Sequence, residues 1–210
     1  MATNCENASI YDSLAFCPGQ TSLPGIRKSV FYTPKRNIVN WPTLPESAIS
    51  NMEELAIYQG DFGMAADAVF KRIDLSLNKG TIDYEPQGEK PSRTFLNKGS
   101  FKHPFNNAAA AAFARQANAD DFVFVVQQRD GQFRVLGNEM FETDVKVSGG
   151  TGEGTTGEVG TNINVEVTDV CPAPFYVGKL VTEFGEIDCS GNPTETPAGG
   201  GDGNNDGEGS

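Results

Sequence analysis

Histidine occurs once in the 210 residues, as His103, so a Ser-His-Asp or Cys-His constellation has a single residue to build on. It stands at the end of a strand-like Phe101-Lys102-His103-Pro104 run with no glycine-flanked nucleophile beside it, and reads as a surface histidine on a strand edge. No apolar stretch approaches the roughly 18 residues that a membrane-crossing helix requires. The longest are 122–126 and the alanine-rich segment around Ala110. The start, Met1-Ala2-Thr3-Asn4-Cys5-Glu6, carries neither the basic residues nor the apolar core of a secretory signal. The expectation is a soluble protein, without a membrane anchor, that stays in the cytoplasm where it is made. The four cysteines, Cys5, Cys17, Cys171 and Cys189, contain no Cys-x-x-Cys, and a zinc site would have to gather thiolates from both ends of the chain. Free thiols in a reducing compartment are the expectation.

Basic residues are scarce as well: 16 Lys and Arg face 28 Asp and Glu, for a net charge of -12. General affinity for nucleic acid through phosphate neutralisation is thereby excluded. The acidic pairs Glu53-Glu54 and Asp120-Asp121, and the run 202–208, supply hard oxygens but lack the ligand spacing and flanking helices of a calcium loop. The glycines of 149–154 are followed by Thr155, Thr156 and Gly157, without the Lys-Ser/Thr and helix of a phosphate-cradling loop, so they read as a mobile hairpin tip. The 14 Phe, 5 Tyr and one Trp are not interleaved with bases, which points to a β core and not to a base-stacking surface. One basic patch, Arg27-Lys28 with Lys35-Arg36, brackets a strand pattern and suits the carboxylates of a neighbouring subunit at least as well as a free anion. No enzyme, metal or cofactor is expected.

What the chain does contain is strand pattern. Segments 29–33 and 37–41 are β-branched and aromatic and are stopped by Pro34 and Pro42. Segments 54–58, 68–77, 81–85, 93–97 and 100–103 continue as a meander with an exposed connection in the 80s. Residues 107–116, rich in alanine and preceded by Asn106, predict a helix apolar on nearly every face at its start and therefore packed tightly against a sheet. Asp130-Gly131 between 122–129 and 132–137 predicts a hairpin with a type I′ turn. Segments 140–147 and 162–167 flank the Gly/Thr-rich 148–161 connection as a second, wide hairpin, and 175–181 forms the last strand. The fold expected is mainly β, a β-sandwich or barrel with one flanking helix near 106–118. That domain spans 28–189, after an extended N-terminal arm over 1–27 and before a disordered, acidic, Gly-rich tail over 190–210.

Three phrases carry a resemblance. They are 83–89 leading to 92–97; the helix running into Asp120-Asp121-Phe122-Val123-Phe124-Val125-Val126 with 130–137; and the 148–161 connection followed by Val165-Glu166-Val167 and 172–178. Over roughly residues 50 to 180 the chain resembles the major tail tube proteins of long-tailed bacteriophages, those of Bacteroidetes-infecting phages among them. The resemblance implies a subunit that closes hexameric rings. Stacked rings would form a passive conduit for viral DNA in the virion tail, assembled in the host cytoplasm beside other phage tail proteins. Candidate self-assembly residues are Phe31, Tyr32, Ile38 and Val39 on strand edges, Tyr84, Gln87 and Glu89 in the 79–92 connection, and Thr151, Glu153 and Thr155 at the 148–161 tip. Two alternatives stay open: a capsid decoration or tail-completion protein, and a carbohydrate- or host-surface-binding β-sandwich using Trp41, Tyr58 and Tyr84 as stacking platforms.

Overall fold

The computed structural model describes residues 13–14, 18–19, 21–46 and 51–190. Most of the expected arm, Cys5 and Cys17, and all of the expected tail except Ser190 lie outside the described residues. In chain order the elements are β1 (Ile26–Pro34), β2 (Ile38–Asn40), β3 (Ile57–Tyr58), β4 (Gly63–Met64), β5 (Lys71–Asp74), β6 (Gly80–Gln87) and β7 (Thr94–His103). There follow the helix α1 (Ala108–Ala117), then β8 (Phe122–Gln128), β9 (Phe133–Leu136), β10 (Thr143–Gly150), β11 (Gly160–Asp169), β12 (Phe175–Tyr176), β13 (Lys179–Thr182) and β14 (Gly185–Asp188). The protein is mainly β with one helix, as expected.

The uninterrupted apolar run of β8 decides the layering. Phe122, Val123, Phe124, Val125 and Val126 are all buried, so both faces of this strand must be covered. It lies inside a six-stranded sheet of order β3-β12-β9-β8-β1-β5. Against one face packs a four-stranded antiparallel sheet of order β10-β11-β7-β6. Between the two, Val30, Phe122, Phe124, Val126 and Leu136 meet Phe101, Val145, Ile163, Val165 and Val167. On the other face Phe31, Val123, Val125 and Val135 are covered by Ile38, Phe62, Phe70, Tyr176 and Leu180, contributed largely by loops and the short pairs β2-β4 and β13-β14. Each fully buried aromatic or aliphatic side chain stabilises by about 1.5–3 kcal/mol relative to exposure.

Several local expectations are corrected. The Asp130-Gly131 turn is not type I′: of the two residues only Gly131 has positive φ, and Gly131 N–H donates to Gln128 O at 3.1 Å while Gln128 N–H donates to Gln132 O at 2.8 Å. That is a three-residue loop, a type I turn closed by a glycine bulge. Segments 93–97 and 100–103 are one strand, β7. Gly99 does not break it but admits the facing sheet, since a Cβ there would stand 2.6 Å from Leu136 Cδ1. Segment 54–58 begins instead as a 3₁₀ turn, Met52–Ala56, capped by Asn51 Oδ1 accepting from Glu54 N. Segment 68–77 contracts to β5, and 175–181 divides at Gly178 into β12 and β13. The helix is capped by Asn107 Oδ1, which accepts from Ala110 N at 2.9 Å, but it packs with one stripe only. Ala110, Phe113, Ala114 and Ala117 face the sandwich, while Ala108, Ala109, Ala111 and Ala112 face out, so the expected all-round burial of its start fails.

One end of the sandwich interior is polar. Asn97, Asn138, Thr143 and Asp169 are buried there, and Asn97 Oδ1, Thr143 Oγ1 and Asp169 Oδ2 have no protein partner. Asp169 Oδ1 accepts from Val170 N at 2.6 Å and Cys171 N at 3.3 Å. Burial still pushes its carboxyl pKa up, against the hydrogen bonds from Asn138 and the two backbone amides. A raised folded-state pKa means that the folded chain binds this proton more tightly. The associated stability is fully present below the ordinary value of 3.8 and lost as pH rises through the folded value. Urea unfolding of the wild type and Asp169→Asn across pH 4 to 8 should therefore give stability curves whose difference grows in favour of the variant with rising pH; a pH-independent difference would contradict the assignment.

Candidate self-assembly surfaces

The two sheets treat their edges differently. The six-stranded sheet ends in β3, two residues long, and in β5, four residues long and carrying Lys71, Arg72 and Asp74. Such short, charged edges are poor templates for pairing. The four-stranded sheet ends in β6 and β10, each eight residues long and each paired on one side only among the described residues.

Which backbone groups those edges offer follows from the ladder alternation of antiparallel strands. Lys102 N–H donates to Lys79 O at 3.1 Å, so residues 79, 81, 83 and 85 turn their backbone groups toward β7 and residues 80, 82, 84 and 86 turn outward. Position 86 is proline, which has no N–H to offer and is tolerated for that reason. On β10, Thr143 N–H donates to Asp121 Oδ1 at 2.8 Å and so faces away from β11; Val145, Val147 and Gly149 share that direction. Both edges are thus closed at the same end of the sheet, by Pro86 and by Asp121; over the rest their outward backbone groups take no hydrogen-bond partner among the described residues, with α1 packed against β10 through Phe113 and Ala117. The strand directions alternate across the sheet, so β6 and β10 run opposite ways.

The outer face of this sheet is polar apart from Leu96. In register across it lie Thr81, Ser100, Asn164 and Lys146, then Asp83, Lys98, Glu166 and Asp144. Lys98 holds Glu85 at 2.5 Å, Lys146 holds Asp144 at 2.7 Å and Glu166 at 3.6 Å, and Ser100 Oγ donates to Asn164 Oδ1 at 3.0 Å. Six exposed large apolar side chains lie at the two ends of the sandwich. Leu77, Phe105 and Val159 lie at the end of the 151–159 tip, and Met140, Phe141 and Val170 at the end of the 88–93 connection.

The candidate residues divide accordingly. Phe31 and Tyr32 are not on an edge: β1 is paired on both sides, with β5 and β8. Phe31 is buried in the second core and Tyr32 packs edge-on against Phe113 at 5.1 Å. The prolines that flank this segment mark where the strand ends along its length, and carry no information about which side lacks a neighbour. Ile38 is buried, whereas Val39 is 64% exposed on β2. Tyr84, 54% exposed, stands on the β6 edge; Gln87 Nε2 donates to Thr168 Oγ1 at 2.8 Å on the outer face; Glu89 is exposed in the following connection. Thr151, Glu153 and Thr155 are exposed at the opposite end of the same sheet. The β10 edge is not legible in the sequence, because nothing in its alternating pattern says which side is unpaired.

Other sites suggested by the sequence dissolve. Lys35 pairs with Asp121 at 2.8 Å and Arg36 with Asp120, so these bases and the acidic pair 120–121 satisfy each other within the chain. His103 Nδ1 donates to Asp74 O at 2.8 Å, and Thr161 Oγ1 beside it donates to Phe105 O. Tyr58 is buried, which removes it from any sugar-stacking platform, and Trp41 packs on Phe62. Among the described residues no group of three or more His, Cys, Asp or Glu side chains converges as a metal site would, and no helix is long and apolar enough to cross a membrane. No family model, curated protein or solved structure matches the chain.

Cys171 and Cys189 are free, buried thiols; burial pushes Cys171 up to about 11 and Cys189 higher still. The thiolate is the reactive form. Iodoacetamide at pH 8 followed by peptide mapping should therefore leave both unmodified in the native protein and label both in 6 M guanidinium. Rapid native labelling at either would show that its burial is wrong.

Proposed function

We propose that this chain is a virion structural protein, a tail tube subunit that joins copies of itself edge to edge into stacked rings enclosing a passive conduit for viral DNA. The observation that carries the reading is the pair of open, eight-residue edges on one four-stranded antiparallel sheet. A rotation about an axis along the strands brings β6 of one copy antiparallel to β10 of the next, continuing the ladder without a change of pattern. Repeated head to tail, that contact closes a ring and leaves no exposed edge. Six copies is the number that the family resemblance implies. The sheet's polar outer face would then line the bore, and the covered six-stranded sheet would form the wall.

Stacking has its own support. The 88–93 connection and the 151–159 tip lie at opposite ends of the same sheet, and each end carries exposed apolar side chains, Met140 at 67% and Phe105 at 61% among them. Contacts between unlike ends propagate along an axis. Other tail proteins would meet the first and last rings by the same surfaces. The subunit performs no reaction: it binds its own kind, and DNA passes without a specific contact.

Light scattering should give masses at defined multiples of the protomer, and negative-stain images should give rings or tubes of constant bore. Val147→Pro removes an outward N–H of β10 without touching the β10-β11 ladder, so it should raise the concentration needed for assembly at least tenfold while the far-ultraviolet dichroism of the fold persists. A wild-type chain that stays monomeric at every concentration, or a Val147→Pro chain that assembles as readily as the wild type, would sink the proposal.

A further inference from the structure

An open groove of about 790 Å³ lies where the start of β1, the 75–79 turn, the first residues of β6 and the end of β8 meet. Four bases line it, Arg27, Lys28, Lys79 and Arg129, over an aliphatic floor that includes Leu75 and Leu77, and no carboxylate lines it. That is unusual in a chain with 28 acidic and 16 basic residues. Most of the other bases hold a carboxylate, Lys35, Arg36, Lys71, Arg72, Lys98, Lys102, Lys146 and Lys179 among them, and the exceptions, Lys90, Arg93, Arg115 and Arg134, do not share one groove. In the groove, Arg27, Lys28 and Arg129 take no carboxylate partner among the described residues, and Lys79 reaches only Glu158, at 3.8 Å on the exposed side. Arg129 is held in place across the groove, its Nε donating to Ile26 O at 3.4 Å and its Nη2 to Asn78 Oδ1.

We infer that this groove binds the chain's own acidic segment, residues 191–210. Charge complementarity is the first argument. The segment carries Glu195, Asp202, Asp206 and Glu208 and no base, a net charge of -4, against four positive charges on the groove. Fit is the second: its remaining residues are Gly, Asn, Thr, Pro, Ala and Ser, none too bulky for a shallow aliphatic floor. Position is the third. Ser190, the last residue before the segment, lines a depression together with Asp130 and Gln132 of the β8-β9 turn, and Arg129 of that same turn lines the groove. Twenty residues extended at about 3.3 Å each span roughly 66 Å, well beyond the diameter of a domain whose radius of gyration is about 15 Å. The segment is thus long enough to dock on its own chain, held by several weak ion pairs on an exposed surface and sensitive to salt. The groove lies beside the end that carries Glu158 and the 151–159 tip, so the docked segment brings four carboxylates to that end of the sandwich.

Zero-length carbodiimide cross-linking of the full chain tests this directly, because it joins a lysine amine to a carboxylate only where the two are in contact. In low salt, peptide mass spectrometry should find Lys28 or Lys79 joined to Asp202, Asp206 or Glu208. The yield should fall at least fivefold in 1 M NaCl and in Arg27→Glu. The Lys98–Glu85 pair, 2.5 Å apart, provides the internal positive control for folding and reagent in every sample. Mixed ¹⁴N- and ¹⁵N-labelled protein at high dilution should give isotopically pure links. Links absent while Lys98–Glu85 forms, or links unaffected by both salt and Arg27→Glu, or links that join two different copies, each overturn intramolecular docking. The groove reaches Gly80 and Thr81 at the start of the β6 edge, so light scattering of the same samples reads assembly separately from docking, and loss of the links with assembly intact refutes docking alone.

Discussion

A strand whose every apolar side chain is buried has to lie in the middle of something, and β8 is such a strand. Its five consecutive apolar residues cannot alternate between core and solvent, so cover is required on both sides. The four-stranded sheet supplies one cover, and loops with the short pairs β2-β4 and β13-β14 supply the other. The neighbouring β1 is drawn into the same position: Val30 points to one core and Phe31 to the other. Because the middle sheet takes apolar contacts on both faces, the four-stranded sheet needs only one apolar face and is free to be polar on the other. The division of labour between a structural layer and an exposed layer follows from that single run.

The exposed layer is also the one left open at its sides, and the openness is graded. Pro86 closes one end of the β6 edge and Asp121, itself fixed by Lys35, closes the matching end of the β10 edge. Between those stops and the opposite end, each edge presents alternate backbone groups with no partner among the described residues. Proteins that must stay single usually shorten such edges, charge them or turn them with a bulge. The six-stranded sheet here does so, ending in a two-residue strand and a charged four-residue one. That the same chain shortens and charges the edges of one sheet and leaves those of the other long is a physical contrast within one molecule, and it is the contrast on which the proposed assembly rests.

Much of this is legible in the sequence, and what is not has definite causes. Alternation identifies β6, β10 and β11, the apolar run identifies β8, and alanine content with an asparagine cap identifies α1, because each signal is local. Pairing is not local. Phe31 and Tyr32 look like edge residues because prolines flank them, yet the neighbours of β1 come from residues 71–74 and 122–128. Asp130-Gly131 marks the turn correctly, but the turn type depends on how many residues the flanking register leaves over, and the register places three between the strands. Gly99 and Gly178 look alike in sequence. One lies inside a ten-residue strand because a facing sheet needs the space, and the other separates two strands. The 79–92 and 148–161 connections stand out in sequence for their exposure alone; that they mark opposite ends of one sheet follows only from its topology.

Charge requires the same local reading. A net charge of -12 suggests a uniformly acidic surface, but four of those charges belong to residues 191–210, and the basic groove shows that the body of the molecule is not acid everywhere. On the outer face of the four-stranded sheet, Asp83, Glu85, Asp144 and Glu166 face Lys98, Lys102 and Lys146, and every lysine is already engaged by a carboxylate. Lysines held in this way have little left to offer a phosphate, and a surface so nearly balanced exerts little long-range repulsion once salt screens it beyond about 10 Å. If this face lines a bore, the bore would be slippery because its lysines are engaged by carboxylates and neutral positions such as Ser100 and Asn164 bond to each other. Strong negativity would then be unnecessary for DNA to pass, and the acidic composition would reflect other parts of the chain.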